Sequence, residues 1–145
     1  MNEAAADAAL ARLLAAPRGG CSNLLDSRPL MIDPAAGFAR IAFTAGTEFC
    51  DENGHLLVGL QAAMLDEAMA IAAVAQRDYR QAVPTLAMQV SSLQPVGPGG
   101  LTAEARVLRG DAELAFLQAE LRHDDGGGVC ARAGATARFT ARSPL

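Results

Sequence analysis

At 145 residues with 51% hydrophobic side chains, the chain is long enough to bury one core and too apolar to be mainly disordered. A net charge of −4, 4% aromatic residues and the absence of Trp argue against a nucleic-acid partner, which meets a basic face and stacking platforms. Every basic residue is Arg, so Schiff-base and general-base chemistry through lysine is excluded.

The first 20 residues, MNEAAADAALARLLAAPRGG, carry no basic region ahead of their apolar part and do not read as a secretory signal. The spacing of Leu10, Leu13 and Leu14 predicts a short amphipathic helix ending near Pro17 and Gly19. Residues 29–33 (PLMID) and 38–44 (FARIAFT) predict two short strands around a Pro-Ala-Ala-Gly turn.

Residues 56–75, LLVGLQAAMLDEAMAIAAVA, are apolar almost throughout, with Asp66 and Glu67 in the middle. A helix apolar on all sides is buried in a core or in a membrane. Three features oppose a membrane span: Ala replaces the expected Leu, Ile and Phe, two acids sit near the midpoint, and no Lys or Arg brackets the N-terminal end. The run predicts the central buried helix of a domain. A carboxylate in such a helix is costly unless it is paired or used, which makes Asp66 the leading candidate for chemistry. Ala62, Ala63, Ala70 and Ala73 share its face, whereas Glu67 points elsewhere and reads as a surface or interface charge.

Four strands follow. Residues 84–93 put Leu86, Met88 and Val90 on one face. Residues 101–108 alternate Leu101, Ala103, Ala105 and Val107 against Thr102, Glu104 and Arg106. Residues 112–121 come after the turn signal Arg109-Gly110-Asp111. Residues 129–139 alternate Val129, Ala131, Ala133, Ala135, Ala137 and Phe139 against Cys130, Arg132, Thr136 and Arg138. Such alternation marks an antiparallel sheet with one face covered. The predicted class is α+β, one domain over residues 1–145, with an N-terminal helix and linker in 1–20 and the core in 24–139. One sheet cannot cover an all-apolar helix on every side. Either the sheet curls around it or a second subunit covers the rest, so a wrapped sheet in a dimer is expected.

Cys21, Cys50 and Cys130 are odd in number, without a CxxC, and only His55 and His123 could assist a metal. No metal and no cofactor are predicted, and the cysteines read as free thiols in a reducing cytoplasm. The GPGG and GGG runs lie between strands and lack the lysine and strand-to-helix setting of a phosphate loop, so they are turns.

Over roughly residues 24–139 the chain resembles the hotdog-fold acyl-CoA thioesterases, in particular the phenylacetate-pathway (PaaI-like) branch. In that branch a His-Gly-Gly opens the central helix and a catalytic Asp or Glu follows nine residues after the His. Here Asp51-Glu52-Asn53-Gly54-His55-Leu56-Leu57-Val58-Gly59 occupies the approach to the helix, and Asp66 lies nine residues after Leu57. Thr85 begins the next strand, Gln94-Pro95-Val96 closes it, Arg109-Gly110 matches a common turn, and DDGGGVCARAGATARF resembles the last hairpin. The chain departs from the pattern at Leu57-Val58-Gly59, which replaces His-Gly-Gly, with the nearest histidine, His55, two positions early.

The resemblance implies a hotdog fold, an acyl-CoA or related thioester as substrate, and Asp66 as general base or nucleophile with Thr85 orienting the water. Thioester hydrolysis also needs donors for the developing oxyanion, and the free amides at a helix N-terminus supply them through the backbone of Val58 or Gly59. Substrate contacts are expected from His55, Leu57, Gln61 and Asn53, with Asp51 and Asn53 also suited to turn or cap roles. Arg109 is the leading phosphate contact, beside Arg122, Arg138 and Arg142. Val58 and Asp66 are eight residues apart, about 12 Å along a helix, so one subunit cannot bring both to one carbonyl. A site between two antiparallel helices of a homodimer, or of a dimer of dimers, is expected. No nucleic-acid or membrane partner is expected. Two alternatives stand beside hydrolysis: a non-catalytic acyl-thioester binding protein, favoured by an apolar Leu-Val at the mouth, and a hydratase relying on His55.

Overall fold

The architecture follows from where the small residues fall. A computed structural model describes residues 3–142. Its main element is a six-stranded antiparallel sheet of order β1-β2-β5-β6-β7-β4, built from β1 (Arg28–Asp33), β2 (Phe38–Ala45), β4 (Thr85–Ser92), β5 (Gly99–Gly110), β6 (Leu114–His123) and β7 (Val129–Arg138). The short strands β3 (Gln81–Ala82) and β8 (Thr140–Ala141) pair with each other in a separate ladder. One long helix, α3 (Val58–Gln76), lies across one face of the sheet. This is the α+β hotdog arrangement that the residue pattern and the family resemblance led us to expect.

Cross-strand partners show why the helix fits. Ala105 sits opposite Ala119, which sits opposite Ala133, and Ala115 opposite Ala137, all buried on the face that meets α3. An alanine floor leaves room for a helix whose own side chains are bulky. Met64, Leu65 and Met69 fill that room and are fully buried, as are Ala68 and Ala72. Close packing of this kind, more than helix propensity, holds the element in place. α3 is long and apolar enough to cross a membrane by length and composition, yet eight of its residues lie in the protein core. Those eight account for the apolarity of the face that meets the sheet.

The opposite face of the sheet is polar. Arg40 and Glu104 pair across β2 and β5 at 2.6 Å, and Glu120 accepts from Arg132 at 2.8 Å and from Arg122 at 2.9 Å. These half-exposed pairs contribute little to stability and mainly mark a solvated face.

The N-terminal region differs in detail from expectation. α1 (Glu3–Ala15) buries Ala9 and packs Leu10 and Leu13 against the core, but Leu14 is exposed. A second short helix, α2 (Gly20–Leu24), follows it and was not foreseen. β7 also departs from strict alternation. Leu121 pairs with Ala131 while Arg122 pairs with Val129, so Cys130 is the extra residue of a bulge. Its side chain therefore turns inward, contrary to its expected outward position, and its thiol donates to the Leu121 carbonyl at 3.2 Å. Burial pushes that thiol's pKa above its ordinary value.

If the alanine floor sets the fit of α3, Ala119→Leu should destabilise the fold by about 1–3 kcal/mol through overpacking. Gln118→Leu, one residue away on the exposed face, should stay within about 0.5 kcal/mol of the parent. Urea unfolding of both variants distinguishes them.

Candidate active site

The segment leading into α3 is a tight turn organised by one carboxylate. Asp51 accepts hydrogen bonds from the backbone amides of Asn53 and His55, both at 2.9 Å, and its own amide donates to the His55 carbonyl at 2.8 Å. Gly54 completes the turn with φ +76°, a left-handed conformation that a side chain would strain. The amide of His55 is the largest of the influences holding the Asp51 carboxyl below its ordinary 3.8. Asp51 and Asn53 are therefore turn residues here, and the His55 ring lies exposed at the edge of a cleft.

Two further bonds fasten the helix start to the body of the protein. The Leu56 amide donates to the Val96 carbonyl at 2.8 Å and the Leu57 amide to the Phe49 carbonyl at 3.0 Å. The side-chain amide of Gln61, itself 2% exposed, donates to the Leu56 carbonyl at 3.0 Å. Gln61 thus braces the segment from within, and it also lines the cleft at the helix start. Its carbonyl oxygen is buried without a partner among the described residues.

Leu57 caps α3 through its backbone alone, since no side-chain cap bond is made. Leu60 and Gln61 donate back to the Leu57 carbonyl, whereas no acceptor among the described residues meets the amides of Val58 and Gly59. Those two N–H groups, at the positive end of a 19-residue helix, form a ready anion-binding position. A side chain added at Gly59 would touch nothing within 4 Å in this chain. Packing inside the chain does not require glycine there, which leaves that space for a close approach from outside. Leu57 and Val58 are 48% and 46% exposed. With Ser92 at the end of β4 and Leu93, Gln94 and Pro95 just after it, they line a cleft of about 350 Å³ over the helix start. Ser92 and Leu93 were not singled out from sequence, whereas Gln94 and Pro95 belong to the Gln94-Pro95-Val96 ending noted there.

Asp66 lies further along α3, half-buried, and the Thr85 hydroxyl donates to its Oδ1 at 2.7 Å. The two residues are 19 apart in sequence and are joined only because β4 starts alongside the middle of α3. One carboxylate oxygen is fixed by this bond and the other is left for a proton or a water. Arg109 sits near the far end of β5, opposite Phe116, at the end of the sheet where Arg77 donates to the Asp111 carbonyl. The helix start docks on Val96, ahead of the opposite end of the same strand, so one chain does not bring Arg109 to the cleft. Arg122 is paired with Glu120, Arg142 donates to the Tyr79 carbonyl, and Arg138 is exposed. Among the described residues no cluster of three or more His, Cys, Asp or Glu could hold a metal ion.

This arrangement, an antiparallel sheet with one long helix carrying an acid at its middle and open amides at its start, is that of a hotdog fold. The thioesterase superfamily profile matches residues 53–130, which run from the turn before α3 to the bulge in β7. The chain belongs to the thioesterase superfamily and has a hotdog fold. A phenylacetic acid degradation-related protein of Ralstonia eutropha JMP134 superposes with a TM-score of 0.83 at 27% identity, over 89% of this chain and 98% of that one. The Escherichia coli PaaI protein of the phenylacetic acid degradation operon gives 0.77 at 20% identity, over 86% of each chain. A thioesterase of Haemophilus influenzae gives 0.76 at 15%, over 90% of this chain and 87% of that one. The last two likenesses show the fold alone. No curated protein matches the sequence significantly.

The Asp51 turn should respond to acid. A carboxyl held below its ordinary value in the folded state contributes order above about pH 3.8, and that contribution is lost as pH falls through the lowered value. In an NMR titration the amide signals of Asn53 and His55 should move together below pH 3.8 and stay fixed above it. In Asp51→Asn the same signals should show no transition in that window.

Proposed function

We propose that this member of the thioesterase superfamily hydrolyses acyl-CoA or a related acyl thioester at a site shared by two copies of the chain. The observation that carries the reading is the oriented Asp66–Thr85 pair on the same helix whose starting amides, at Val58 and Gly59, are open. Water adds to the thioester carbonyl while Asp66 takes its proton. The carbonyl oxygen becomes an oxyanion and accepts from the amides of the partner subunit's Val58 and the partner subunit's Gly59. Collapse breaks the C–S bond, the thiolate recovers the proton from Asp66, and a carboxylic acid and a free thiol leave. No metal or cofactor takes part.

Two observations support the shared site. Val58 and Asp66 lie about 12 Å apart along one rigid helix, too far to serve one carbonyl. β4, with Leu86 exposed and the exposed Leu93 just after it, is an eight-residue edge strand without a single charged side chain, the kind of edge that pairs with another chain. Antiparallel pairing of two β4 edges would lay the helices side by side in opposite directions and give two equivalent sites. A dimer of dimers in the cytoplasm is compatible with this reading, as are the three unpaired cysteines Cys21, Cys50 and Cys130.

A second reading is favoured by the cleft itself. Leu57 and Val58 present apolar side chains where the branch has His-Gly, which suits retention of an acyl thioester without turnover. Free-thiol release from a panel of short, medium and aryl acyl-CoA thioesters separates the two. Hydrolysis predicts turnover that falls about 100-fold or more in Asp66→Asn. Binding without turnover in the parent protein establishes the second reading.

The shared site has its own test. Val58 is the first helical residue and Leu57 has φ −59° and ψ 137°, a conformation that accepts a following proline, so Val58→Pro removes one open amide without breaking the helix. That variant should lose about 100- to 1000-fold in kcat. Randomly mixed dimers of Val58→Pro and Asp66→Asn should regain about a quarter of parental activity, because half are heterodimers with one intact site. A site confined to one chain predicts no recovery.

A further inference from the structure

The outer face of the sheet is charged unevenly. β5, β6 and β7 carry five arginines and two glutamates, in a chain whose net charge is −4. Both glutamates are engaged, Glu104 with Arg40, and Glu120 with Arg122 and Arg132. Arg106, Arg109 and Arg138 are exposed and form no ion pair among the described residues. Arg106 rests on the Phe38 ring, 4.5 Å from its centroid. The Asp111 carboxylate in the following turn accepts from the amides of Glu113 and Leu114, both at 2.8 Å. Two large apolar side chains stand beside Arg109. Leu108 is the extra residue of a bulge between Val107 and Arg109, and Phe116 is the register partner of Arg109. They are 60% and 46% exposed.

A groove of about 420 Å³ adjoins this patch, lined by Leu108, Gln118, Arg132, Gly134 and Gln89. Gly134 sits in register between Gln118 on β6 and Gln89 on β4, and with no side chain it leaves the face low there. A Cβ at that position would meet only the Leu117 carbonyl, at 3.9 Å, so the chain's own packing does not require the glycine. These features select among occupants. A second copy related by a two-fold through the patch would set the unpaired arginines against their own copies. A lipid surface is flat and makes no use of a groove walled by amide side chains. A helix enters a groove with a ridge of side chains. Acidic residues on that helix would meet Arg106, Arg109 and Arg138, and apolar ones Leu108 and Phe116.

The patch lies at the end of the sheet where β4 starts. Phe116 is in register with Thr136, and the next residue, Ala137, with Thr85, whose hydroxyl holds Asp66. Two strand spacings, about 10 Å, separate Phe116 from the β4 edge. Building on the thioesterase reading, we infer that this patch docks an acidic amphipathic helix of a protein that carries the acyl thioester on a flexible arm. The arm then rounds the β4 edge to reach Asp66. A thioester of free coenzyme A has no use for the apolar pair and the groove, so the patch favours a protein-borne substrate.

The probe is octanoyl acyl carrier protein, a small acidic helical protein, labelled for fluorescence anisotropy and compared with octanoyl-CoA. The parent should bind it, about tenfold more weakly at about 300 mM salt than at about 50 mM. Arg106→Glu should raise Kd about tenfold, as should Gly134→Val, which fills the groove with a residue suited to a strand. In both variants kcat/KM for octanoyl-CoA should stay within about twofold of the parent. No binding by the parent overturns the assignment. So does an Arg109→Glu variant that raises KM for octanoyl-CoA as much as it weakens the carrier, because the arginines then hold the phosphates of coenzyme A. Unchanged carrier binding in Gly134→Val, with equal affinity of the parent for phosphatidylglycerol vesicles, gives the face to a lipid surface and overturns the helix. A smaller oligomer in Phe116→Asp, measured by light scattering, gives it to a second copy and overturns it too. Carrier binding that is lost in Arg106→Glu and Gly134→Val, with neither thioester turned over by the parent, supports the docking site while hydrolysis fails.

Discussion

The rest of the structure depends on one packing constraint: a bulky apolar helix lying on a sheet whose facing side chains are mostly alanine. Met64, Leu65 and Met69 reach down from α3 into the space left by residues such as Ala105, Ala119 and Ala133. Size is exchanged between the two layers, large on the helix and small on the strands, so that the two surfaces fit together. The fit fixes the height and direction of α3, and with them the positions of its start and its middle. Both positions are where the chemistry is proposed to lie.

A helix held this firmly behaves as a ruler. Its first open amides and its carboxylate cannot approach each other by bending, because the buried face between them is packed along its length. Rigidity that would spoil a single-chain site suits a paired one, since two antiparallel copies offer the start of one helix to the middle of the other. The small residues around Asp66 (Gly59, Ala62, Ala63 and Ala70) keep that side of the helix low and open to such an approach.

The start of α3 is prepared with equal care by backbone chemistry alone. Asp51 closes the turn, Gly54 supplies its left-handed residue, and Leu56, Leu57 and Gln61 attach the helix to the loops around Val96 and Phe49. Nothing in this machinery needs the histidine of the family pattern. An anion position made from peptide amides survives the change to Leu57-Val58, which alters the polarity of the mouth and leaves the donors in place.

Much of this was legible from residue order. The alternation in the strands, the continuous apolarity of α3 and the misplaced carboxylate Asp66 are local patterns, set by the two-residue and 3.6-residue repeats of strand and helix. Those repeats gave the class, the buried helix and the leading candidate residue, and the spacing from Leu57 to Asp66 carried the family resemblance. What tertiary structure alone decided are the meetings between distant segments. Thr85 reaches Asp66, Glu67 joins a cavity with Leu13 and Leu14, Cys130 turns inward at a bulge, and Arg109 lies at the wrong end of β5 for its own chain's cleft. The physical reason is strand register. A one-residue bulge redirects a side chain, and the pairing of β4 with β7 determines what lies beside the middle of α3. Register is settled by contacts across the whole sheet, which no periodicity within one segment encodes.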